Sequence, residues 1–198
     1  MANIQDLQPQ GIWKNFYALT QVPRPSGHLD KIQKYLLDWA AQRNIEAFMD
    51  NAGNIIMRKA ASKGLENLAI VTMEAHMDMV PQKAVDSNHN FETDPIETYI
   101  DGEWLKAKGT TLGSDDGIGI AVALAVLEDD DVKHGPLEAI FTVDEETCMY
   151  GVNNLKADTL KGRILLNIDN ETEGEMVIGS AGGEDVQATL EFKEEDTP

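Results

Sequence analysis

The sequence has one cysteine, Cys148, in 198 residues. That excludes an intrachain disulfide framework. With no second cysteine to share a metal, Cys148 reads as a packed or partly exposed thiol. Basic residues are scarce: 16 Lys and Arg against 35 Asp and Glu leave a net charge of −19. Such a balance argues against nucleic acid and anionic membranes as partners. No apolar run approaches the roughly 18 residues that span a bilayer. Met1 to Gln10 has neither a basic n-region nor an apolar h-region, so no signal peptide is read and a cytoplasmic location is expected. Nucleotide motifs are missing too. Residues 109–114 lack the second glycine and the lysine of a P-loop, and Gly117-Ile118-Gly119 lacks the third glycine of a dinucleotide fingerprint. A calcium loop with its glycine at 117 would need an acidic residue where Leu112 stands. There is no His-Glu-x-x-His, no internal repeat and no low-complexity segment.

What is present suits a soluble globular chain, with 42% hydrophobic and 26% charged residues and enough length to bury a core. Ile12, Phe16 and Leu19 recur at helical spacing in 12–22, and the helix stops at Pro23 and Pro25. Ser26 is the predicted N-cap of a second helix over 28–43, whose buried stripe is Ile32, Tyr35, Leu36 and Trp39. Residues 45–49 and 54–58 read as short strands around a turn at Asn51-Ala52-Gly53. The run Leu68 to Thr72 reads as a central strand buried on both faces. A hairpin is predicted around Asp101-Gly102, a small-residue helix over 114–128, and strands over 137–143, 163–168, 175–180 and 186–192. Buried strands alternating with helices predict an α/β fold: a mixed, largely parallel central sheet flanked by helices.

Three of these strands run into metal-ligand chemistry: His76 with Asp78, Glu145 with Glu146, and Asp169. A fourth acidic pair, Asp115-Asp116, opens the small-residue helix. In open α/β sheets, ligands gather outside the carboxyl ends of the strands, so these groups can converge in space. Each piece alone is weak. Four His and 35 acidic residues give on the order of one chance His-x-acidic match, and the chain has two. His28-Leu29-Asp30 sits at a helix start, where Asp30 suits the dipole. His76-Met77-Asp78 follows a buried strand, where Asp78 can reach the second ring nitrogen of His76 and orient it on a metal. Asp115-Asp116 reads either as acidic residues at a helix N-terminus or as the source of a carboxylate bridging two ions. Glu145-Glu146 reads either as a solvated strand end or as a pair in which one carboxylate binds metal and the other takes a proton from water.

Taken together, residues 75–80 (AHMDMV), 113–119 (GSDDGIG), 144–146 (DEE) and 167–169 (NID) resemble the co-catalytic zinc peptidases, a superfamily of aminoacylases, carboxypeptidases and dipeptidases. The aminoacyl-histidine dipeptidase branch is similar over nearly the whole chain, including 22–27 (VPRPSG) and 178–183 (IGSAGG). The resemblance implies that His76 and Asp169 bind one zinc, Glu146 binds the other and Asp115 bridges both, with a cis bond from Asp115 to Asp116. It implies that Asp78 orients His76, and that Glu145 is the general base and later the acid. Two Zn2+ ions per complete site are implied, and nitrogen and oxygen ligands also suit cobalt or manganese. The implied substrate is a small unblocked dipeptide, Xaa-His included. An aminoacylase or carboxypeptidase of the same superfamily and a non-catalytic metal-binding module remain the alternatives.

Members of this superfamily are longer. The resemblance therefore implies that residues 1–198 are the N-terminal portion of a catalytic domain incomplete at its C-terminus. The lid or dimerisation domain, and a further His ligand beside Glu146, would lie outside. Neither His89 nor His134 stands at a motif position. Little activity is expected of this chain by itself, and an unpaired sheet edge or apolar surface favouring a homodimer or other self-association.

Overall fold

A computed structural model describes residues 4–170, 172–179, 181–183 and 186–192. After a 3-10 turn at Ile4–Asp6, helix α1 spans Gln10–Thr20 and α2 spans Asp30–Gln42. Strands β1 (Glu46–Met49) and β2 (Ile55–Lys59) form an antiparallel pair. Strand β3 spans Val71–His76, and β4 (Thr98–Asp101) with β5 (Trp104–Ala107) forms the hairpin predicted around Gly102. Helix α3 spans Ser114–Glu128, β6 Leu137–Thr142, the short helices α4 Glu145–Cys148 and α5 Tyr150–Asn153, and β7 Ile164–Asn167.

The main sheet runs β1-β2-β6-β3-β7. It is mixed: β3 pairs in parallel with β6 and β7, while β2 pairs antiparallel with β1 and β6. Helices flank it, so the α/β architecture is as the sequence predicts. All six residues of β6 are buried, because successive side chains point to opposite faces. Leu137, Ala139 and Phe141 join Ile55, Met57, Met73 and Ala75 in the main core under the helices. That core is closed by Phe16 and Leu19 of α1, by Ile32, Leu36 and Trp39 of α2, and by Ile120, Leu124 and Leu127 of α3. Helix α3 is buried on several sides through Gly117, Gly119, Ala121 and Ala123. Small residues there let it lie close to both the sheet and α1.

The alternate residues of β6, Glu138, Ile140 and Thr142, are equally buried. Their face is crossed by the chain that follows α4: Gly151 O accepts from Asn54 Nδ2 at 3.0 Å, Thr159 O from Arg58 at 2.8 Å, and Lys161 N donates to Glu138 at 2.9 Å.

Three sequence expectations need correction. Ser26 does not cap α2, whose N-cap is Leu29 with no side-chain cap bond; the Ser26 hydroxyl is drawn instead to a buried carboxylate. The central strand starts at Val71 rather than Leu68 and includes His76, because pairing with β6 selects the register Val71↔Leu137 to His76↔Thr142. The strands expected over 175–180 and 186–192 do not form among the described residues of those segments; residue 180 lies outside them. Apolar alternation there meets no partner strand, and Met176, Ile178, Leu190 and Phe192 are exposed. Strand β7 is itself exposed, with Ile164, Leu165 and Leu166 at 47%, 58% and 51%.

Candidate metal centre

Strands β3, β6 and β7 run in the same direction, so their carboxyl ends lie together, where α/β sheets gather ligands. His76 is the last residue of β3 and is 1% exposed. Its Nε2 faces Asp115 Oδ1 at 2.8 Å and lies 3.9 Å from Asp169 Oδ2. One ligand atom each from His76, Asp115 and Glu146 lie within 4.8 Å of one another. Asp115 reaches this point because the first turn of α3 is irregular: Gly113 is left-handed, and Asp115 and Asp116 have non-helical backbone angles with a cis peptide bond between them. A cleft of about 330 Å³ lined by Ser114, Asp115, Asp116, Ile118, Ile168, Asp169 and Asn170 opens beside it.

Asp78 lies behind the histidine and is 0% exposed. His76 Nδ1 is 3.1 Å from the Asp78 carbonyl oxygen and 3.4 Å from its Oδ1. The carboxylate also accepts from Ser26 Oγ at 2.7 Å and from the backbone N–H groups of Glu145 at 3.0 Å and Glu146 at 3.2 Å. Burial alone would raise its pKa, but hydrogen bonds with His76, Ser26 and the Glu145 amide outweigh it and hold Asp78 below the usual range. Asp78 thus fixes three groups at once: the imidazole and the backbone amides of Glu145 and Glu146 at the start of α4.

The two members of the Asp pair differ. Asp116 is buried and accepts from Gly119 N at 3.0 Å and His76 N at 3.3 Å. Burial, then the Asp169 charge, pushes it up to about 7. Asp115 keeps 43% of its side chain exposed and faces the ring. Burial raises Glu145 and Glu146, with Asp169 adding to Glu145 and Asp115 to Glu146. His76 is raised to about 10: burial opposes its charge, but the bonds to Asp78 and Asp115 win. A carboxylate field that favours a proton on an imidazole also favours a metal ion there. One imidazole nitrogen with converging carboxylate oxygens is a fitting donor set for a divalent ion.

Of the residues expected to form the site, the structure brings His76, Asp115, Glu146 and Asp169 to one end of the sheet, with Asp78 behind His76 and Glu145 next to Glu146 on α4. The tight triplet is His76, Asp115 and Glu146, with Asp169 standing further from the ring. Sequence reasoning missed Arg24. It is 2% exposed, and its guanidinium donates to the carbonyls of Met77 and Asp78, each at 2.9 Å, and to that of Gly113. Burial lowers its pKa to about 10, against the raising influence of Asp116 and Asp78. The available signal was an arginine between two prolines, which keep residues 23–25 out of the helices on either side.

Together these features define an α/β protein with an acidic, histidine-containing centre at the carboxyl ends of its parallel strands. Residues 72–193 match Peptidase family M20/M25/M40, and the chain belongs to that family. It is similar to the cytosol non-specific dipeptidase of Escherichia coli strain K12, at 46% identity over all 198 residues, which cover 41% of that protein. It is also similar to the crystal structure of aminoacylhistidine dipeptidase from Vibrio alginolyticus, with a TM-score of 0.86 and 47% identity over 87% of this chain and 35% of that one. The aminopeptidase PepT of Bacillus cereus shares the fold, with a TM-score of 0.70 at 24% identity over 84% of this chain and 44% of that one. The chain spans less than half the length of these relatives.

Proposed function

We propose that this chain carries the metal centre of a dipeptidase that hydrolyses the amide bond of small unblocked dipeptides, Xaa-His among them. The observation that carries the reading is the convergence of His76, Asp115 and Glu146, with Glu145 next to Glu146 on the short helix α4. The relatives at 46% and 47% identity, both bearing dipeptidase names, support the substrate class.

In this reading His76, Asp115, Glu146 and Asp169 hold two divalent ions, zinc first, with cobalt or manganese as substitutes. Bound there, the ions would acidify water and polarise the scissile carbonyl. Glu145 keeps its carboxylate free of metal, takes a proton from the attacking water and returns it to the leaving amine. Asp78 holds the imbalance of roles in place: it orients the imidazole and anchors the backbone of both glutamates. Residues 1–198 would correspond to the first part of the catalytic domain, acting in the cytosol as the name of the E. coli relative does.

The test is zinc stoichiometry by native mass spectrometry. At least one tight Zn2+ is expected per chain, lost in His76→Ala and kept in Glu145→Ala. Zinc retained by His76→Ala, or none bound by the parent chain, would remove the metal centre as assigned.

A further inference from the structure

We propose that residues 24–27 are a clip that positions the metal centre, with Arg24 and Ser26 as its positioning residues. The inference rests on the metal-centre reading for what is positioned, but the contacts stand by themselves. The clip reaches the three stretches of chain that carry His76, Asp115 and Glu146. Its hydrogen bonds to those stretches go to backbone groups and to the Asp78 and Asp144 carboxylates.

The first stretch follows β3. Arg24 donates to the carbonyls of Met77 and Asp78 at 2.9 Å, Met79 N donates to Arg24 O at 3.1 Å and Ser26 N to Met79 O at 3.4 Å. The Ser26 hydroxyl donates to Asp78 Oδ2 at 2.7 Å. The second stretch precedes α3, where the other arm of the guanidinium binds the Gly113 carbonyl, two residues before Asp115. The third precedes Glu146, where Gly27 N donates to Asp144 Oδ1 at 2.6 Å. A planar fork with donors on both arms can span carbonyls from two separate stretches; an ammonium cannot. The glycines around Asp115-Asp116 are shaped to this fork. A Cβ at Gly113 would stand 2.7 Å from Arg24 Nη2, and one at Gly117 would stand 2.5 Å from it. Ser26 acts at one remove: it fixes the carboxylate that holds both glutamate amides. Groups that hold ligands in place from behind typically change metal affinity by about 10- to 100-fold when lost.

The test uses Co2+ as the probe, read by its visible absorption, together with amide hydrogen exchange at Glu145 and Glu146. Ser26→Ala is expected to weaken Co2+ binding about tenfold, to alter the absorption band and to speed exchange at both amides. Ser26→Thr, which keeps the hydroxyl, is expected to restore all three. Arg24→Lys is expected to act in the same direction as Ser26→Ala; if it fails to fold, the Ser26 pair decides. Unchanged affinity, band and exchange in Ser26→Ala overturn the clip, whatever its melting temperature. If the parent chain takes up no Co2+, the metal-centre reading falls, and exchange at Glu145 and Glu146 then decides the clip by itself.

Discussion

Asp78 and Glu138 are both 0% exposed, and the two buried carboxylates are satisfied in nearly the same way. Asp78 accepts from the Ser26 hydroxyl and two backbone amides, and lies beside the His76 ring. Glu138 accepts from the Thr72 hydroxyl at 2.9 Å, the amides of Lys161 at 2.9 Å and Gly162 at 3.1 Å, and Arg58 Nε at 3.0 Å. Each is held below its ordinary pKa, because these bonds outweigh the cost of burial. What differs is the end of the sheet. Asp78 lies two residues beyond the carboxyl end of β3, and two of its donors belong to residues that face the centre. Glu138 is the second residue of β6, and two of its donors, the Lys161 and Gly162 amides, belong to the chain crossing the sheet's far face. One device arranges chemistry at the carboxyl ends of the strands and secures a covering segment at the other.

The largest expected effect comes from Asp78→Ala. It leaves two amides and a hydroxyl without their acceptor and removes the carboxylate beside the buried imidazole, whose Nδ1 keeps only the residue 78 carbonyl, which costs about 3–5 kcal/mol in buried networks of this kind. Zinc binding is expected to be lost with it, read by urea denaturation and native mass spectrometry together. Glu138→Ala should cost somewhat less, about 2–4 kcal/mol, because the Arg58 side chain it strands is 26% exposed and can turn to water. Its zinc stoichiometry should match the parent. Loss of zinc in a folded Glu138→Ala protein would break the division between the two ends.

These two residues were not equally legible. Asp78 announces itself through His-x-Asp after an apolar run, and Asp115, Glu145, Glu146 and Asp169 through acidic residues at strand ends and a helix start. Glu138 hides inside Leu137-Glu138-Ala139-Ile140-Phe141, which reads as an apolar strand, because its donors sit at Arg58, Thr72 and Lys161. Arg24 is marked only by its flanking prolines, because its partners are carbonyls, which any residue supplies. Ser26 is legible but misleading, since a serine before a helix fits a cap and only the fold brings Asp78 to it. Main elements follow from local periodicity, and the helix over 114–128 has the same bounds in both. Among the described residues of 175–180 and 186–192 the expected strands do not form, because a strand needs a neighbour and alternation does not show whether one is there.

A smaller effect sharpens the comparison from the Glu138 side. Gly162 donates to that carboxylate, and a Cβ added there would stand 1.8 Å from Thr72 Oγ1. Thr72 or the 161–162 backbone must move, and overpacking of this kind costs about 1–3 kcal/mol. Gly162→Ala should therefore lower the urea midpoint while leaving Zn2+ binding and the exchange of the Glu145 and Glu146 amides as in the parent. A change at those amides would mean that the two ends are coupled through the sheet.

The smallest effect is a difference in pH dependence. Glu138 is depressed below 4.5 in the folded chain, so between the folded and unfolded values the unfolded chain binds more protons, and stability rises with pH there. Its contribution is full above the unfolded value and is lost as pH drops through the folded one. Glu138→Gln has no proton to take up at this position. The stability gap between parent and Glu138→Gln should thus be widest at neutral pH and narrow steadily below about pH 4.5. Asp78 shifts in the same direction but is present in both proteins, so it cancels in the difference. Urea denaturation of the two proteins at several pH values between 7 and 3 measures the gap. A gap that stays constant through that window would mean Glu138 holds the 161–162 segment by shape and hydrogen bonding alone, and its charge would drop out of the comparison with Asp78.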